Sequence, residues 1–174
     1  MTQTARMLWS LAGPQGPMRS DAETERTRRV LVSGDPQLAT SRLLDALRAG
    51  APPADVTPED LSIEAAELFS ELLRAPGDDV LKLLVGALED PPTRTAALDA
   101  IALSADQRAA RPLAELVRQH SYEDWSEREL VKLASALGSL SGAEARGAIA
   151  ALAAHGGWPS VVQNEIDLAA DSVG

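Results

Sequence analysis

From residue 33 onward, helix-starting and helix-stopping residues recur at intervals of about one helix, and this punctuation constrains the fold more than any other feature of the chain. Asp35-Pro36 reads as an N-cap and first helical position, because proline needs no backbone donor there, and Gly50 closes that segment. Leu38, Leu43, Leu44 and Leu47 are its apolar positions. Thr57-Pro58-Glu59-Asp60 repeats the signal with an acidic first turn, leading into Leu61, Ala65, Leu68 and Leu72 at helical spacing before Gly77. Asp78 or Asp79 starts a segment in which Val80, Leu81, Leu83, Leu84, Val85 and Leu88 leave only Lys82 clearly polar, which predicts a helix buried on most sides.

After Asp90-Pro91-Pro92, one segment carries Ala96, Ala97, Ala100 and Ile101, and another from about Asp106 carries Leu113, Leu116 and Val117. Pro112 is predicted to kink the latter or to mark its true start. Trp125-Ser126-Glu127-Arg128-Glu129 reads as a capping box with a hydrophobic staple: Ser126 at N-cap, Glu129 at N3, Trp125 facing Leu130. Ser141-Gly142-Ala143-Glu144 repeats the box, and a last helix begins near Trp158-Pro159 with Val162, Ile166 and Ala169. Eight helices of roughly 10 to 18 residues with short connections imply antiparallel neighbours. An aromatic content of 3% beside abundant Ala and Leu is the palette of closely packed helices, so the expected class is all-α.

The second helix of each successive pair can be registered on Ala66, Leu98, Val131 and Ile166, at steps of 32, 33 and 35 residues. Within that register, Asp90-Pro91 followed by Arg94-Thr95-Ala96-Ala97-Leu98-Asp99-Ala100-Ile101 resembles the second helix of a HEAT repeat, whose pattern runs Asp-Pro, then Arg, two alanines and an Ala-Leu pair. The turn is shorter than usual, and the other pairs keep the small-apolar spacing without the arginine; Glu64 stands in its place after Ile63. The resemblance implies an α-solenoid: a right-handed α-α superhelix of about four HEAT-like helical hairpins with an N-terminal helical cap or arm. Residues 1–20 read as the arm, packed or as a plain tail, and residues 21–174 as the repeat domain. A further helix is expected over residues 22–32, anchored by Val30 and Leu31.

A formal charge of −10 and a pI near 4.6 repel phosphate backbones and anionic membrane surfaces, so neither nucleic acid nor membrane is expected as a partner. No cysteine is present, which fits a reducing, cytoplasmic setting. The apolar run Met7–Ala12 after Arg6 is too short for a signal sequence, and no other stretch reaches spanning length.

Reactive chemistry is sparse. His120 and His155 lie at different predicted helix ends outside any metal-spaced pair, and both read as C-terminal residues complementing the helix dipole. Gly138-Ser139-Leu140-Ser141-Gly142 has leucine where a nucleophile elbow needs serine, and Gly13-Pro14-Gln15-Gly16-Pro17 lacks phosphate-loop spacing. The expectation is therefore no enzyme, no cofactor and no metal.

The candidate binding residues are Asp60, Glu64, Glu67 and Glu71, whose spacings of 4, 3 and 4 align four carboxylates opposite the Leu61-Ala65-Leu68-Leu72 stripe, with only Arg74 nearby in sequence. A helix spreads them over about 16 Å, too far to converge on one cation. They form either a solvated outer face or a platform for a basic protein, with Asp55, Asp78, Asp79, Glu89 and Asp90 extending the field. Trp125 and Trp158 precede predicted helices and serve either as staples or as a contact surface. Together these point to a non-catalytic adaptor or scaffold, monomeric or homodimeric, that binds or sequesters a basic protein. The rival readings are a HEAT-like enzyme of lyase or glycosylase type and a purely structural homodimerising bundle.

Overall fold

The computed structural model describes residues 2–13, 20–49, 52–119 and 122–173. Among these are ten α-helices and no strand: α1 (Gln3–Ala12), α2 (Asp21–Val32), α3 (Pro36–Arg48), α4 (Pro58–Leu72), α5 (Asp79–Gly86), α6 (Pro91–Ser104), α7 (Ala110–Gln119), α8 (Glu127–Gly138), α9 (Gly142–His155) and α10 (Ser160–Ser172). Single 3-10 turns at Ala87–Glu89 and Gln107–Ala109 precede α6 and α7. The fold is all-α, and the eight helices expected after residue 33 are α3 to α10.

Two compact units divide the chain, Met1–Ala100 and Ile101–Gly174. In the first, α1 packs on α2, α3 and α4, α2 also meets α3 and α4, and α3 meets α4 and α5. The N-terminal helix thus packs on its own chain, burying Ala5, Leu8, Leu11 and Ala12 behind a cap in which the Thr2 hydroxyl accepts from the Ala5 N–H at 3.2 Å. In the second unit α7 packs on α9 and α8 on α10, with α9 also against α8 and α10.

Local chemistry explains most boundaries. Asp35 caps α3 by accepting from the Leu38 N–H at 2.8 Å, and Thr57 and Asp60 form a reciprocal box on α4. On α8 the Ser126 N–H donates to Glu129 at 2.7 Å, completing the predicted box, and both flanking staple residues, Trp125 and Leu130, are buried. Pro112 lies in the first turn of α7, where its missing donor costs nothing.

Four expectations differ in detail. Ser141 precedes α9 without capping it through its side chain; its N–H and hydroxyl both donate to the Gln107 carboxamide oxygen, at 2.7 and 2.8 Å, so a tertiary bond replaces the local box. The helix expected to run to Gly77 ends at Leu72, and Gly77 instead takes a left-handed turn in the following loop. Val30 and Leu38 are about half exposed rather than core, leaving Leu31 as the one fully buried residue of α2. Of the four register residues, Ala66, Leu98 and Ile166 are buried, while Val131 is only half-buried. Gly50 lies outside the described residues.

Two features fix helix approach. Arg94 is 1% exposed, with its Nε–H donating 2.7 Å to the Leu88 carbonyl, while the buried Thr93 hydroxyl donates to the Ala87 and Asp90 carbonyls. These bonds hold the 3-10 turn against the start of α6. In the second unit, a Cβ on Gly138 would lie 3.0 Å from both Cα and Cβ of Ala169, so α8 and α10 touch at van der Waals limit there. Gly138→Ala should therefore destabilise by about 1–2 kcal/mol despite alanine's better helix propensity, and Gly138→Leu by more. Denaturant midpoints check this; a stabilised Gly138→Ala protein would mean that the helices separate freely.

Candidate functional site

Residues 55–90 concentrate the negative charge, carrying ten carboxylates against Arg74 and Lys82. Helix α4 is the centre of this region, and its own sequence orients it. Leu61, Ala65, Leu68 and Leu72 are buried as predicted, joined by Ala66 and Phe69, so the carboxylates are turned toward the opposite side.

The four carboxylates occupy distinct environments. Asp60 accepts from the Thr57 hydroxyl at 2.6 Å and from its N–H at 3.3 Å, as part of the N-terminal box. Glu64 and Glu67 hold an arginine from another helix: Arg28 Nη2 donates to both Glu64 oxygens at 3.0 and 2.8 Å and lies 2.6 Å from Glu67 Oε2. Glu71 is exposed. Arg28 is half-buried, and Glu64 is more enclosed than Glu67, at 17% against 45% side-chain exposure. Burial opposes the charge on Arg28, but the two carboxylates outweigh it and raise the guanidinium pKa above its ordinary value.

That pairing was only half legible. Arg28 stands three residues before Leu31, so both lie on one face of α2, and a helix that buries Leu31 delivers Arg28 inward. Which acids it meets depends on how α2 and α4 pack, and local spacing does not encode that.

A second cluster lies in the second unit around Tyr122, the lone tyrosine. Its ring meets Trp125, His155 and Trp158 edge-on, with centroids 5.8, 5.9 and 5.7 Å away, and His155 stacks on Trp158 at 4.6 Å. Tyr122 has a positive φ of 59°, a strained position for a bulky side chain, and is held there by its hydroxyl donating 3.1 Å to the Val117 carbonyl. Trp125 is buried, while Trp158 is half-buried with its indole N–H donating 2.7 Å to the Leu152 carbonyl. The two tryptophans named from the sequence thus meet around a tyrosine that no motif marks.

No protein-family model, curated protein or solved structure matches the chain.

Its functional reading therefore rests on its own geometry. His155 is exposed at the C-terminal end of α9, where a cationic form complements the helix dipole; His120 lies outside the described residues, as does most of the Gly13–Pro17 run. Among the described residues no three His, Asp or Glu side chains converge as a metal set, and no helix is long and apolar enough to cross a membrane.

Proposed function

We propose that this chain is a non-catalytic, cytoplasmic protein-binding module, a HEAT-like α-solenoid adaptor or scaffold that engages a basic protein through the acidic face of α4. One observation carries the reading: the α4 face already accepts a guanidinium, with Arg28 seated between Glu64 and Glu67. Beyond that pair, Glu71 and the carboxylates of Asp55, Asp78, Asp79 and Glu89 remain exposed and extend the same field. Such a surface speeds encounter with a cationic partner and selects against acidic ones. Contacts between alternate helices, α1–α3–α5 and α2–α4 in one unit, α7–α9 and α8–α10 in the other, are those that stacked hairpins make, and they support the solenoid part of the reading.

The test is a charge-reversal series on exposed positions, Glu71→Lys alone and with Asp78→Lys, titrated with an arginine-rich helical peptide at two salt concentrations. Each exposed pair is worth roughly 0.2–1 kcal/mol, so the double variant should bind about tenfold more weakly and lose much of its salt dependence. Unchanged affinity in the double variant sinks the acidic-face reading.

A further inference from the structure

We infer that α2 is a displaceable latch, occupying on α1 and α4 the groove into which an arginine-bearing helix of the partner docks. The inference rests on the acidic-face reading for its partner, and on three observations about α2 for its mechanism.

First, α2 is weakly anchored. Of its twelve residues only Leu31 is fully buried, and Thr24, Thr27, Arg28 and Val32 are partly so; the remainder face solvent. One buried leucine and one half-buried arginine paired with two acids are small holds for an element this long. A helix of this length is also marginal on its own, so undocking lets it melt. Second, the closed arrangement leaves a polar group of the clamp unmet. Arg28 Nε on α2 is buried with no hydrogen-bond partner among the described residues, although Nη2 of the same side chain meets Glu64 and Glu67. That atom carries a desolvation penalty, so the closed clamp is an imperfect fit, and a partner arginine better satisfied there can outcompete it. Third, α2 is followed by Gly34, which takes a left-handed φ of 87° with open space around its Cβ position. A glycine tolerates changes of backbone direction that other residues resist, so the α2–α3 junction is a place where the chain can turn.

The geometry of the occupant defines its replacement. Arg28 enters the Glu64–Glu67 pair while Leu31, one turn on, enters the apolar floor, so the partner helix should present arginine and an aliphatic residue three positions apart. Releasing α2 frees both acids.

The experiment compares two full-length variants of equal net charge. Arg28→Ala removes the clamp, whereas Arg26→Ala removes an exposed arginine of the same helix. Each is titrated with an alanine-based helical peptide carrying arginine and leucine at that spacing, and amide hydrogen exchange of α2 is followed in parallel. Arg28→Ala should bind the peptide about five- to tenfold more tightly than Arg26→Ala, because the latch no longer competes, and its α2 amides should exchange faster while those of α3 are unchanged. Equal behaviour of the two variants in both measurements overturns the latch. If neither variant binds the peptide, the acidic-face reading fails, and the exchange comparison alone still decides whether Arg28 holds α2. Self-association of Arg28→Ala in place of peptide binding would make a second copy the occupant and overturn the inference.

Discussion

Arg94→Ala should be the most damaging single substitution in the first unit, costing about 3–5 kcal/mol of folding stability. The side chain is 1% exposed and is the largest among the fully buried ones. Truncation has two separable consequences. The buried Leu88 carbonyl loses the 2.7 Å bond from Arg94 Nε, and the vacated volume opens a cavity at the base of α6. Arg94→Met restores most of the volume but not the donor, so it should recover part of the loss, about 1–2 kcal/mol. Arg94→Lys returns a charge without the planar fork and should fall between the two. Denaturant unfolding with unchanged slope is the measurement. An Arg94→Ala midpoint close to the parent's would mean that the 87–94 turn is held by the Thr93 bonds alone.

Arg94 also shows what the sequence makes legible. Helix existence, most N-caps and most buried faces follow from short-range chemistry, which is why Asp35, Thr57 and Ser126 sit where the pattern puts them. Several features missed by local reading are places where a distant residue outbids a local one. Gln107 takes the Ser141 donors from across 34 residues, and Arg28 crosses 36 residues to Glu64. Tyr122 draws two tryptophans and a histidine together from a loop position with no periodicity to announce it. Leu38 fails for a related reason: helical spacing marks it as apolar, but only tertiary packing decides whether a neighbour covers that side. The candidate acidic face was readable as a row of carboxylates starting at an N-terminal cap, whereas its further division into a clamp and an exposed end was not.

Stability should fall in alkali partly through the titration of Tyr122, and a single substitution should abolish that component. Tyr122 is 7% exposed, and burial pushes its phenol up to about 12 from an ordinary value of 10.0. Its hydroxyl must keep its proton to donate to the Val117 carbonyl, which favours the same neutral form. The unfolded chain therefore loses this proton at lower pH than the folded one. Below pH 10 both states are protonated and the contribution is full; between pH 10 and about 12 only the unfolded state ionises, and stability drops by about 2–3 kcal/mol. Tyr122→Phe removes the titration together with the hydrogen bond, so it should be less stable than the parent by about 1 kcal/mol near neutrality and more stable above pH 12. Since this is the chain's lone tyrosine, tyrosinate absorbance reports the group directly in both folded and urea-unfolded protein, and other alkaline titrations are common to the two variants. Parent and Tyr122→Phe curves that stay parallel from pH 9 to 12.5 would show that the phenol ionises freely in the fold, and that the ring contacts with Trp125 and Trp158 open to solvent.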